Sequence, residues 1–121
     1  MRKITKDDIL NREDTKLEQV DIPEWGISVH VRTLSGSERD LFESRISKDR
    51  VGIRGLFAAL VVCDEKGDRV FSDADQFALG KKSAAALDRI LDVGLRLNGM
   101  KEEAVAEMEK NSETGQNAAS G

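Results

Sequence analysis

The stretch Leu17–Leu34 narrows the possible folds more than any other part of the chain. On one side of "PEWG", Leu17, Gln19 and Asp21 alternate with Glu18, Val20 and Ile22. On the other side, Ile27, Val29, Val31 and Thr33 alternate with Ser28, His30, Arg32 and Leu34. A period of two puts successive side chains on opposite faces of a strand. Pro23 fixes φ and Gly26 permits a positive one, so the four residues between the two runs form a turn. The stretch predicts an antiparallel hairpin, with Trp25 at its corner and able to cover its core-facing side.

Most of the remaining chain has helical spacing. Thr5 can cap a short helix whose first turn carries Asp7 and Asp8, with Ile4 and Ile9 available for an apolar contact. Ser35 with Glu38 matches a capping box, Ser37 with Asp40 is a looser alternative, and Leu41, Phe42 and Ile46 fall near one face of the helix behind them. Ile53, Leu56, Phe57, Leu60 and Val61 predict a second helix, although "LVVC" at its end also suits a buried strand. Gly67 centres a turn, with a small β excursion at Val70 and Phe71. Ser72 caps a short helix that Gly80 ends. "KKSAAALDRILDVGLRLNG" is the clearest helix, striped by Leu87, Ile90, Leu91 and Val93 to Leu97 and stopped by Asn98-Gly99. The expectation is an α+β fold: an N-terminal β-hairpin packed with a small helical domain of three to five helices. Residues 1–110 form that single domain, and the small polar residues 111–121 form a disordered tail.

Chemistry is sparse. His30 is the only histidine and reads as a half-exposed residue on the hairpin's polar face. Cys63 is the only cysteine; its apolar neighbours predict a buried, inert thiol, and it cannot form an internal disulfide. No zinc-ligand spacing, calcium loop or phosphate-cradling glycine motif is present, so no metal or cofactor is expected. "MRKITKDDIL" is charged throughout and no run approaches a membrane span, which predicts a soluble cytosolic chain. Arg45, Lys48, Arg50 and Arg54 cluster, and a small regulatory protein binding nucleic acid through them is the alternative function. Against it stand the net charge of −4 and the absence of interleaved aromatics. Four phenylalanines, one tryptophan and no tyrosine must serve a hairpin and several helices. Burial of Trp25 and Phe42 is the expectation in so aromatic-poor a chain, while exposure would make them anchors for a partner. Apolar surface left open normally marks a partner site, which suits an interaction protein better than an enzyme.

The ordered motifs also carry a resemblance. Pro23-Glu24-Trp25-Gly26, the strand Val29–Leu34 and the helix start Ser35–Asp40 resemble the tail assembly chaperones of long-tailed bacteriophages and prophages. So do "LVVCDEKGDRVFSDAD", "LGKKSAAALDRILDVGLRLN" and "AEMEKNSET", and the likeness runs from about Ile9 to Thr114. The resemblance implies a non-enzymatic protein of the host cytoplasm, absent from the mature virion. It would bind the tape-measure protein, keep it soluble and help recruit tail-tube subunits, with self-association. The family also implies a longer −1 frameshift product. Glu109-Lys110-Asn111 permits the slippery codons GAA AAA AAC, whereas AAG at Lys110 rules out this slip site. Helix-in-groove contact is the expected mode of client binding. The residues nominated for it are Trp25, Arg32, Phe42 and Phe57, with Leu87 and Leu91 from the helix Ser83–Leu97.

Overall fold

A computed structural model describes residues 3–100. The expected tail at 111–121 and the helix-prone residues 101–110 lie outside the described residues. The elements run α1 (Lys6–Leu10), β1 (Leu17–Ile22), β2 (Ile27–Arg32), α2 (Gly36–Lys48), α3 (Ile53–Val61), β3 (Val62–Cys63), α4 (Gln76–Gly80) and α5 (Ala84–Leu97), with a 3₁₀ turn at Asp73–Asp75. The fold is α+β, as the sequence predicts.

The strands form one antiparallel sheet in the order β1-β2-β3. Leu17 pairs with Arg32 and Ile22 with Ile27, so Pro23–Gly26 is the turn, and Gly26 takes φ +67°. The Trp25 N–H donates to Ile22 O and the Gly26 N–H to Pro23 O, closing two overlapping turns. Opposed residues share a face. Val20, Ile22, Val29 and Val31 therefore look the same way, toward the helices, and α5 packs on both long strands.

α3 is the centre of the molecule. Every residue of it but Arg54 is buried, as expected of a helix that is apolar all round. Phe42 of α2 meets Phe57 of α3 with ring centroids 4.9 Å apart and planes tilted by 53°. Gly55 sits where a Cβ would collide with the Gln76 carbonyl and the Gly80 backbone, so its missing side chain lets α4 lie directly on α3. Both readings of "LVVC" hold: the helix runs to Val61, and the chain then straightens into β3.

Local caps follow the sequence. Thr5–Asp8, Ser35–Glu38 and Ser72–Asp75 each form a capping box, and Ser83 accepts the Ala86 N–H at the head of α5. Three details differ. Ile4 and Ile9 make no apolar contact with the core and are 73% and 65% exposed, because α1 buries nothing against the domain. Leu41 is exposed, since only Phe42 and Ile46 of its helix face α3. The β excursion after Gly67 is a bridge between Arg69 and Cys63, closed in part by the Val70 N–H donating to Val62 O, and so begins one residue before Val70 and Phe71.

Candidate docking groove

A groove of about 920 Å³ runs beside β2. Ile27, Ser28, Val29 and His30 all line it. Consecutive strand residues point to opposite faces, so a groove touching four in a row follows the strand's edge. The edge is open because β3 is short: along β2 its two residues reach only His30 and Val31.

The hydrogen-bond parity identifies which backbone groups are left. The Thr33 N–H donates to Lys16 O at 3.0 Å, just beyond Leu17↔Arg32. Antiparallel ladders alternate, so Val31, Val29 and Ile27 also bond toward β1, while His30 and Ser28 point the other way. His30 meets Cys63 there. The N–H and C=O of Ser28 open onto the groove, where no strand pairs with them among the described residues.

The walls are apolar and the lip is charged. Trp25, Val29, Val62, Phe71 and Leu79 supply the walls; Asp64, Glu65, Lys66, Asp68 and Lys82 supply the lip. The turn that carries Trp25 is tied to α5: Glu24 accepts two bonds from the Arg89 guanidinium at 2.7 and 3.1 Å. That hydrogen bonding keeps the Glu24 carboxyl below its ordinary value and raises Arg89. Asp64 accepts the backbone N–H groups of Asp68 and Lys66, which hold its carboxyl below the usual range and keep the acidic turn folded. Gly67 completes that turn at φ +90°.

His30 and Cys63, distant in sequence, are partners across the β2–β3 ladder. Cys63 is buried, as its neighbours foretold, and burial pushes its thiol up despite nearby Arg32. A protonated buried thiol is a poor nucleophile. Among the described residues no group of three or more histidine, cysteine or carboxylate side chains is gathered to hold a metal, and no helix is long and apolar enough to cross a membrane.

The other nominated residues scatter. Arg32 is 8% exposed; its Nη2 donates to Glu38 Oε2 at 2.6 Å and to Leu60 O at 2.8 Å, tying β2 to α2 and α3. Phe42, Phe57 and Leu87 are buried in the core, and Leu91 is half-buried against it. Of the six, Trp25 lines the groove, half-buried, serving both as wall and as packing. In the basic cluster, Arg45 bonds Gln76 Oε1 and Val51 O, and Arg54 pairs with Asp88 at 2.7 Å. Two of its four cations therefore brace the fold. Sequence reasoning missed Ile27, Phe71 and Leu79 as groove residues, because the signal is the early end of β3, which no local pattern announces.

No family model matches the sequence, and no curated protein matches it. Among solved structures the chain is similar in fold to the bacteriophage HK97 tail assembly chaperone, with a TM-score of 0.56 and 21% identity over 69% of this chain and 85% of that one.

Proposed function

We propose that this protein is a phage tail assembly chaperone. It binds apolar segments of the tape-measure protein, keeps that protein soluble and helps bring tail-tube subunits to it. It acts in the host cytoplasm, self-associates, is left out of the finished virion and catalyses no reaction. A longer −1 frameshift product accompanies it. The likeness in fold to the HK97 chaperone carries this reading, and it agrees with the motif order in the sequence. The open apolar groove supports it independently, since exposed apolar concavities mark partner sites.

The physical action is mass action. Binding to exposed client segments lowers the free concentration of the aggregation-prone form. Weak individual contacts suffice when many copies line one client. Trp25 is the contact proposed at the groove; Leu91, half-buried against the core, does not line it. Arg32, Phe42, Phe57 and Leu87 contribute by holding the domain together, so substitutions there act on folding first.

Co-expression with the long tail protein encoded just downstream tests the reading. The expected result is a larger soluble fraction of that protein and its co-purification with the chaperone. An unchanged soluble fraction with no co-purification removes the proposal.

A further inference from the structure

We infer that the groove receives its partner as an extended strand, apolar at alternate positions and carrying lysine or arginine, which pairs with the open edge of β2 at Ser28. This rests on the reading above that the groove meets another chain, and it names what that chain presents.

The N–H and C=O of Ser28 have no strand partner among the described residues. Any partner that covers Trp25, Val29 and Phe71 also strips water from the Ser28 N–H and C=O. Buried backbone groups without partners are rare because desolvating them is costly. A docked helix cannot replace those bonds, since its own backbone groups are already used. A strand replaces both, through the residue opposite Ser28. Its neighbours on either side then share the face of Ile27 and Val29 and meet the apolar walls.

Charge decides the rest. The lip carries Asp64, Glu65 and Asp68 against Lys66 and Lys82, an excess of acid. Residues 101–121 hold five glutamates and two lysines, so their charge has the same sign as the lip's and does not complement it. A cationic partner is favoured, and its attraction weakens with added salt.

The probe is a ten-residue peptide of alternating valine and threonine with lysine at both ends, titrated into the full-length protein. Trp25 is the only tryptophan and lines the groove, so its emission reports occupancy. Lysine-ended peptide should shift that emission and bind more tightly than the glutamate-ended version, with the difference shrinking as salt rises. Ser28→Pro removes the outward N–H but leaves the β1 ladder intact, a placement proline tolerates at an edge. It should weaken peptide binding roughly tenfold, the loss of about one hydrogen bond. Ile27→Lys, at a side chain already 55% exposed, should weaken it too, without lowering the unfolding midpoint.

Equal binding by an amphipathic lysine-leucine helix, untouched by Ser28→Pro, overturns the inference. So does a change in sedimentation of the peptide-free protein on Ser28→Pro, which assigns the edge to a second copy. If Ser28→Pro rescues the tail protein in co-expression as well as wild type, the strand mode fails and the chaperone reading stands. If the peptide binds at Ser28 but the tail protein gains no solubility, the edge site stands and the chaperone reading fails.

Discussion

The two halves of β2 share one strand, one hairpin and one alternating pattern, yet their surroundings are opposite. Val31 and Arg32 are 0% and 8% exposed, enclosed by β3, α2 and α3. Ile27, four residues from Val31 and on the same face, is 55% exposed. The pattern of apolar residues does not distinguish the halves; the reach of β3 does. Two residues of β3 complete the sheet at one end and stop, leaving apolar walls and a backbone pair open at the other. The closed half is tied into the core, and the open half has no strand partner among the described residues.

Breaking the closed half should have the largest effect. Glu38 accepts from Arg32 and from the Ser35 N–H, so it neutralises a buried cation and caps α2 together. Glu38→Ala leaves the guanidinium buried without its carboxylate, at an expected cost of about 3–5 kcal/mol in urea unfolding. The same site has a pH signature. Burial works to raise the Glu38 carboxyl, and the Arg32 hydrogen bond with the Ser35 backbone outweighs it, leaving a net lowering. The folded state then binds this proton less readily than the unfolded chain. Its stabilisation is complete above the ordinary carboxylate value and is lost as pH falls through the lowered one. Glu38→Gln should flatten that acid limb; an unchanged limb detaches the pair from acid unfolding.

Side-chain truncation gives the direct contrast within the strand. Val31→Ala removes two fully buried methyls and leaves a cavity, for about 2 kcal/mol. Ile27→Ala, at the open end, should stay within about 0.5 kcal/mol. Similar costs at both positions would mean that the far end of β2 is covered after all.

How much of this was legible in the sequence divides along the same line. The hairpin, its turn, the capping serines and the break at "LVVC" all follow from interactions within a few residues, and each is present. Phe42 and Phe57 were visible as large apolar residues, but which of them would face a partner depends on how α2 and α3 cross. Gly55 had no motif to explain it; its reason is the backbone of α4 lying against it. Arg32 sits among polar neighbours on the strand's second face, and only the return of Glu38 and Leu60 to that spot makes it interior. The groove depended most on tertiary structure, because it is made by what β3 does not cover.

The smallest perturbation tests the contrast most directly, because it changes no atom heavier than hydrogen. Amide exchange reports each backbone N–H separately. Along β2, Ile27, Val29 and Val31 donate toward β1, and His30 lies opposite Cys63 in the ladder with β3. All four should be protected, to a degree that rises toward the closed end. Ser28 lies between two protected neighbours, but its N–H faces the groove. It should exchange at close to the rate of an unfolded amide. Adding the lysine-ended peptide should slow Ser28 while leaving Val31 unchanged, because only a strand partner supplies a carbonyl at that position. Protection of Ser28 equal to that of His30 in the free protein would erase the difference between the two halves, and with it the argument that β2 was left open for another chain.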